Sequence, residues 1–189
     1  MTAEIPTPPE LIRHVNEVLL ATHGVDTRAW GTGSAKTPDH LNAELEANEA
    51  VLVLENGKLV RITRILGVDV CCATDTGMKI LREVRQQFKD GRTRSRNLPT
   101  SLGEKLTPDE DEITGLYRAL SEELNVDMHA VLSIGKINDE SRERESESFP
   151  GILTRSVIHN YAVLIDPTTY NPSGYTEDQE DKSTYFGWI

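Results

Sequence analysis

The hydrophobic and polar positions of the chain recur with two different periods, and each period predicts one kind of element. From Pro9 to His23 the apolar residues recur every three to four positions, which predicts an amphipathic helix that ends at Gly24. Thr37 followed by Pro38 is typical of a helix start, so a second short helix is expected to run to about Asn48. The apolar face of the first helix is predicted to contain Leu11, Ile12, Val15, Val18 and Leu19.

The next region shows the period of two that is typical of strands. The runs on either side of Asn56-Gly57 predict a β-hairpin over Ala50 to Ile65, because this dipeptide favours a tight hairpin turn. Leu66 to Ala73 is predicted as a further strand. Lys79 to Phe88 fits either period and is assigned to a strand because strands flank it. Three later strands are predicted, at Ala130 to Ile137, at Val157 to Ile165 and in the C-terminal STYFGWI.

Thr107 to Leu124 has the clearest helical period in the chain. Thr107 and Glu110 have the spacing of a capping box, and Pro108 suits the first helical position. Asn125 suits the left-handed residue that often follows a helix. The predicted apolar face contains Ile113, Leu116, Tyr117, Leu120 and Leu124. Strands on both sides of one such helix predict an α/β (α+β) fold, in which helices pack on a mixed β-sheet.

Composition and charge narrow the class of protein. No apolar run reaches the roughly 20 residues that cross a bilayer, and the N-terminus lacks the segments of a secretory signal. Cys71 and Cys72 are adjacent, so in a strand they point to opposite faces and predict neither a mutual disulfide nor a zinc site. These features predict a cytoplasmic protein without a membrane partner. The net charge of −11 also argues against nucleic acid as a partner.

Glu122 and Glu123 place two neighbouring carboxylates on the predicted helix, away from its apolar face. Neighbouring like charges repel each other, so the pair needs either solvent or a cation. Two carboxylates on one rigid helix suit Mg²⁺, which binds oxygen ligands and retains water and substrate phosphates in its shell. A solvated acidic surface is the alternative, and for an isolated pair of glutamates it is the commoner case.

The residues around this pair resemble the Nudix box. The family pattern is glycine, five residues, glutamate, seven residues, Arg-Glu-aliphatic, one residue, Glu-Glu, one residue and Gly-aliphatic. The segment LGEKLTPDEDEITGLYRALSEELNV matches it at Glu110, Arg118, Leu120, Glu122, Glu123 and Val126. The chain departs from it at Glu104 and Asn125, where the family has glycines, and at Ala119, where the family has its first catalytic glutamate. Gly103 lies one residue early.

The resemblance extends over roughly residues 66 to 189 and implies a Nudix-like α/β/α sandwich. The chain would then divide into an N-terminal helical extension, residues 1–49, and a Nudix-like domain, residues 50–189. The implied activity is hydrolysis of a nucleoside diphosphate linked to another group, with Mg²⁺ or Mn²⁺ shielding the phosphates while water attacks phosphorus. By position, Glu122 and Glu123 would be catalytic metal ligands. Glu110 and Arg118 would form a structural pair that joins the loop to the helix.

Ala119 leaves two hypotheses open, because alanine can neither bind a metal nor deprotonate water. In the first, Glu104 supplies the missing carboxylate, and Glu104, Glu122 and Glu123 together bind one or two Mg²⁺ ions and act in catalysis. In the second, catalysis has been lost and the fold only binds a nucleotide or a protein partner. The residues also leave open whether the N-terminal helices pack on the domain, mediate a homodimer or cover the site.

Arginines and histidine offer weaker signals. Arg92, Arg94 and Arg96 alternate in one segment, with Arg82 upstream, and side chains at alternate positions of an extended segment share a face. Arg82, Arg92 and Arg94 are therefore candidates for binding the diphosphate of the substrate. Solvated arginines paired with surplus acids, or an RNA backbone site, are the alternatives. His159 is predicted to be a satisfied sheet residue, and NDESRERESES a charged loop that could carry a general base.

Overall fold

A computed structural model of the protein describes residues 8–189. Its contacts divide the chain into two compact units. The first unit contains the described residues up to Arg64 together with Ser141–Val157, and the second contains Ile65–Glu140 and Ile158–Ile189. Each unit has a hydrophobic core of its own. The division into an extension of residues 1–49 and a domain of residues 50–189 stays a prediction.

The described residues form three α-helices, two 3₁₀ turns and nine strands. The helices are α1 (Pro8–Thr22), α2 (Pro38–Glu46) and α3 (Glu112–Leu124), and the 3₁₀ turns lie at Met128–Ala130 and Pro167–Thr169. The strands are β1 (Val51–Glu55), β2 (Lys58–Thr74), β3 (Gly77–Phe88), β4 (Thr93–Arg94), β5 (Leu102–Leu106), β6 (Val131–Glu145), β7 (Leu153–Ile165), β8 (Tyr175–Asp178) and β9 (Lys182–Trp188).

The strands belong to a sheet of order β6-β7-β2-β3-β9-β8, in which β1 and β5 also pair with β2, and β4 pairs with β3. The predicted α/β class, with helices and a mixed sheet, is confirmed. Among the helices of residues 8–189, none has both the length and the apolar character that a membrane crossing requires.

The first unit is built on α1, α2 and the hairpin of β1 and β2. The side chain of Thr37 caps α2 by accepting a hydrogen bond from the His40 backbone N–H, as predicted. In α1 the predicted apolar face is wrong at Val18, which is 51% exposed, whereas Leu20 is buried. The predicted side chains of Leu11, Ile12 and Val15 lie outside the described residues. The core consists of Leu20, Val25, Trp30, Leu41, Leu59, Phe149 and Ile152.

The hairpin turn has the conformation that its sequence predicts. Asn56 and Gly57 both have positive φ angles, of 49° and 78°, and Glu55 pairs with Lys58 across the turn. The predicted break between Ile65 and Leu66 is wrong, because β2 continues without interruption to Thr74. Gly67, next to this junction, does not turn the chain and lies within the extended strand.

The second unit packs α3 against the sheet. The buried residues of α3 are Gly115, Leu116, Ala119, Leu120 and Leu124. All of them except Gly115 belong to one hydrophobic core that also contains Leu66, Val68 and Val70 of β2. Ile113, which was predicted on the apolar face, is 38% exposed. Ala119 is only 1% exposed, so the position where the Nudix pattern has a glutamate belongs here to the hydrophobic core.

The start of α3 differs from the prediction, whereas its end agrees with it. The N-cap is Asp111, whose carboxylate accepts hydrogen bonds from the backbone N–H groups of Ile113 and Thr114, both at 3.0 Å. The predicted capping box of Thr107 and Glu110 is therefore wrong as a helix start. At the other end, Asn125 has a φ of 53° and ends the helix in the left-handed conformation, as predicted.

Strand β6 replaces the predicted charged loop. The segment NDESRERESES was expected to be a loop, but the strand continues to Glu145, so this prediction is wrong except for the last three residues of the segment. None of the 15 residues of β6 is buried. Since the hydrophobic alternation that reveals a strand requires one buried face, its continuation could not be seen in the sequence.

Gly115 provides a direct test of the packing between α3 and β5. A Cβ atom at this position would lie 2.2 Å from Leu106 Cδ2, inside the core. Alanine normally favours a helix over glycine by about 1 kcal/mol. We expect Gly115→Ala instead to lower the free energy of unfolding by about 1–3 kcal/mol, because overpacking outweighs helix propensity. Urea denaturation would measure the change. Gly135→Ala, where a Cβ atom meets nothing within 4 Å, is the matched control and should change stability little.

Candidate functional site

The guanidinium of Arg118 on α3 is hydrogen-bonded to three glutamates. Its Nε and Nη2 donate to the two carboxylate oxygens of Glu110 at 2.9 and 3.0 Å, and its Nη1 donates to Glu104 at 2.9 Å. Nη2 also donates to the backbone carbonyl of Lys105 at 3.1 Å. Glu122 is more distant, at 3.5 Å from Nη1. These bonds attach β5 and the loop after it to the helix, and the Arg118 guanidinium lowers the pKa of Glu110.

Removing this guanidinium should weaken the fold. Arg118→Ala leaves the Glu110 carboxylate, whose side chain is 13% exposed, without its bidentate partner. We expect a loss of about 2–3 kcal/mol in the free energy of unfolding, somewhat less than for a fully buried pair. Chemical denaturation at pH 7 would measure it. Arg28→Ala, which breaks an exposed pair with Asp26, is the control and should have little effect. Equal effects of the two substitutions would contradict this role of Arg118.

Glu123, the neighbour of the exposed Glu122, has a different environment. Its Oε1 atom is buried and has no hydrogen-bond partner among the residues that the structure describes. Burial raises the pKa of Glu123 to about 8, and the nearby charges of Glu177, Glu104 and Glu83 add to the effect, whereas Arg96 opposes it. A carboxylate of this kind can hold a proton near neutral pH or bind a cation when it is ionised.

The sheet beneath Glu123 contributes polar side chains from both sides of a bulge in β3. The pairing of β3 with β9 shifts between Glu83 and Arg85. Leu81, Glu83 and Gln86 are all buried, and Thr184 on β9, opposite Gln86, is buried as well. This face of the sheet is therefore apolar near Leu81 and polar from Glu83 onward.

Two further charged residues belong to this polar region. Glu177 on β8 lies opposite Thr184 in the register. Arg96 donates from Nε to both carboxylate oxygens of Glu83, at 2.9 and 3.1 Å, and from Nη2 as well. The Glu83 side chain is 1% exposed, so this ion pair is buried on the carboxylate side. We call Glu83, Arg96, Glu104, Glu123 and Glu177 the acidic centre.

The structure brings together only part of the predicted metal-binding set. Glu104 and Glu123 both belong to the acidic centre, and the charge of Glu104 acts on Glu123. Glu122 does not: its side chain is 63% exposed and lies on the Arg118 side. Glu104 is also bound by Arg118, so the guanidinium already partly neutralises it. Glu83 and Glu177 were not identified from the sequence.

The predicted phosphate-binding arginines are not on a common face. Arg82 donates to Asp69 at 2.7 Å and, as the residue before Glu83, points to the opposite side of β3. Arg92 donates to Asp90 at 2.7 Å and lies over the ring of Phe88. Arg94, on the short strand β4, is exposed. Arg96 lies in the same segment but was not among the predicted phosphate-binding residues. It is the arginine that enters the acidic centre.

Comparison with known proteins gives structural similarity only. No family model matches the chain, and no curated protein matches it either. Similar solved structures include a C. elegans Ap4A hydrolase, which is 15% identical over 68% of this chain and 80% of that chain, with a TM-score of 0.38. The NUDIX domain of Shewanella oneidensis NrtR, solved with ADP ribose, is 16% identical over 66% and 70%, with a TM-score of 0.40.

The E. coli dihydroneopterin triphosphate pyrophosphohydrolase is 13% identical over 67% of this chain and 79% of that chain, with a TM-score of 0.41. Similarity at this level does not by itself assign a protein to a family. The chain is similar to solved Nudix structures, and its function has to be argued from its own residues.

Proposed function

We propose that this chain is a divergent Nudix-type hydrolase that binds Mg²⁺ or Mn²⁺ at Glu123 and cleaves the phosphoric anhydride of a nucleoside diphosphate derivative. The observation that carries the proposal is the buried, unpartnered Oε1 of Glu123 among other carboxylates. A buried carboxylate oxygen without a partner is costly, and a bound cation would remove that cost.

The donor chemistry of the acidic centre suits a hard divalent cation. Among the described residues its carboxylates are not drawn together within 4.8 Å of one another, so water and substrate phosphate oxygens would complete the shell of an ion there. Glu104, Glu123 and Glu177 offer only carboxylate oxygens, which Mg²⁺ and Mn²⁺ prefer. When bound, such an ion would shield phosphate charge and favour an attacking hydroxide. The excess of carboxylates over arginines in the acidic centre leaves net negative charge for the ion to balance.

Several side chains of the protein would position or activate the reacting groups. When it is ionised, Glu123 is a stronger base than an ordinary carboxylate because its pKa is raised, so its second oxygen can accept a proton from the attacking water while Oε1 would face the cation. Arg118 binds Glu104 on β5 and Glu110 in the loop after it, so the carboxylate of Glu104 is presented from a rigid position. Arg96 holds Glu83 in place within the acidic centre through their ion pair. Arg92 and Arg94, which are exposed, remain candidates for holding the phosphates.

A binding module without catalysis is the second candidate, and the burial of Ala119 favours it. Because this side chain is 1% exposed and packs in the core, it leaves no room for a ligand at the position where the Nudix pattern has one. In that case a nucleotide would raise the melting temperature by mass action without being consumed.

One assay distinguishes the two candidates. The purified chain would be incubated with Mg²⁺ or Mn²⁺ and a panel that contains dinucleoside polyphosphates, ADP-ribose, other nucleotide sugars and nucleoside triphosphates, and released phosphates would be measured. Metal-dependent turnover of one class supports the hydrolase. Thermal stabilisation by a nucleotide without turnover supports the binding module. A cytoplasmic location and a homodimer stay predictions, and size-exclusion chromatography would test the second.

A further inference from the structure

A second cluster of ligand-type side chains lies at the other end of α3. Glu112 is the first residue of α3, Asp139 lies on β6 and His159 on β7. The Nδ1 atom of His159 is 2.7 Å from Asp139 Oδ1 and 3.2 Å from Glu112 Oε1. One ligand atom from each of the three residues lies within 4.8 Å of the other two. Ligand atoms about 2 Å from one metal ion lie at such separations from one another.

The two oxygens of Glu112 have different surroundings. Oε2 accepts hydrogen bonds from the Tyr161 hydroxyl and from Lys136 Nζ, the latter at 3.0 Å. Oε1 faces His159 instead. Outer partners of this kind hold a carboxylate by one oxygen and orient the other toward a metal. The His159 side chain is 12% exposed and that of Asp139 is 52% exposed, so the cluster is fixed on one side and open to solvent on the other.

We propose that Glu112 Oε1, Asp139 Oδ1 and His159 Nδ1 form a Zn²⁺ site that is separate from the acidic centre. A set of one imidazole and two carboxylates suits Zn²⁺, whereas Mg²⁺ is bound by oxygen ligands. Glu112 and Glu123 are the first and twelfth residues of α3, so along the helix axis they are about 16 Å apart. One ion therefore cannot occupy both places. A Zn²⁺ ion here would join the start of α3 to β6 and β7.

Lys136 regulates access to this site. Its Nζ is 2.9 Å from Asp139 Oδ1 and 3.0 Å from Glu112 Oε2, so the ammonium group serves as the cation of the cluster when zinc is absent. Its side chain is 41% exposed and can turn toward solvent. A zinc ion must displace it from Asp139 and overcome its charge. Removing the charge of Lys136 should consequently strengthen zinc binding, which would not follow from a purely structural ion network.

Isothermal titration of the full chain with ZnCl₂ at pH 7.5 tests the site, with four variants. With excess MgCl₂ to fill the acidic centre, the wild type should bind one Zn²⁺ that Glu123→Gln retains, whatever becomes of hydrolysis. His159→Ala and Asp139→Asn should each weaken binding at least about 10-fold, as loss of even an outer partner does in zinc sites. Lys136→Met should strengthen it about 2- to 5-fold, the equivalent of one weak ion pair removed.

Each other outcome overturns the proposal. Wild-type affinity in both His159→Ala and Asp139→Asn would show that zinc binds elsewhere, and loss of the zinc in Glu123→Gln would place it at the acidic centre. Absence of binding in both the wild type and Lys136→Met would show that the cluster is an ion network only. Because the Asp139 side chain is half exposed, Asp139→Asn should fold and test the site even if His159→Ala does not fold.

Discussion

Replacing Glu123 with glutamine is expected to lower the kcat of metal-dependent hydrolysis by about 10²–10⁴-fold, since the variant removes both the unpartnered carboxylate oxygen and the proton acceptor. Glutamine keeps the size of the side chain, so the fold should survive. Steady-state release of phosphate at saturating Mn²⁺ would measure the loss. Glu46→Gln, which removes an exposed carboxylate from α2, is the matched control and should retain full activity.

The variant Glu104→Gln distinguishes two versions of the proposed mechanism. If Glu104 supplies the carboxylate that Ala119 lacks, Glu104→Gln should lose activity about as strongly as Glu123→Gln. A fully active Glu104→Gln would refute that role, while Glu123 could still be the metal ligand. A fully active Glu123→Gln would contradict the proposed function as a whole.

Without metal, the free energy of unfolding should fall by about 2–3 kcal/mol between pH 6 and pH 8 on account of Glu123 alone. Burial raises the pKa of Glu123 from its ordinary 4.5 to about 8 in the folded chain. Between these values the folded state holds a proton that the unfolded state has released, so each pH unit costs about 1.4 kcal/mol. Below 4.5 both states are protonated and above 8 both are ionised, so the dependence is confined to that window.

Urea denaturation of the wild type and Glu123→Gln across pH 5 to 9, in the presence of EDTA, isolates this contribution from that of other groups. The difference in stability between the two proteins should shift in favour of the glutamine variant as the pH rises. Parallel pH profiles would show that Glu123 is ionised and solvated in the folded chain. Such a result would also remove the main support for a cation site there.

The local elements were largely readable from the sequence, because their signals lie within a few residues. Asn56-Gly57 specified its turn, Thr37 its cap, and Asn125 the end of α3. The start of α3 was misplaced because Thr107 and Glu110 have capping-box spacing, and their hydrogen bond exists, but it closes a loop before the helix. Asp111, which caps the helix, follows directly and could not be ranked above Thr107 by pattern alone.

Only part of the acidic centre could be predicted from the sequence. The helix placed Glu123, but the rise in its pKa depends in part on the charges of Glu83 and Glu177, whose strands are brought to it by pairing across long stretches of chain. The bulge in β3 concealed Glu83 further. Val84 is the extra residue and is 51% exposed, which gave the segment its ambiguous period. Without Val84, Leu81, Glu83 and Gln86 would alternate regularly toward the helix.

Strand β6 affects the tendency of copies of this protein to aggregate. It lies at one end of the strand order, and its second half carries Asp139, Glu140, Arg142, Glu143, Arg144 and Glu145. In a fibril, identical strands stack in register, so each of these charges would lie directly above its own copy. Like charges in that position repel. The alternating acids and bases therefore protect a long, accessible sheet edge against amyloid-like stacking.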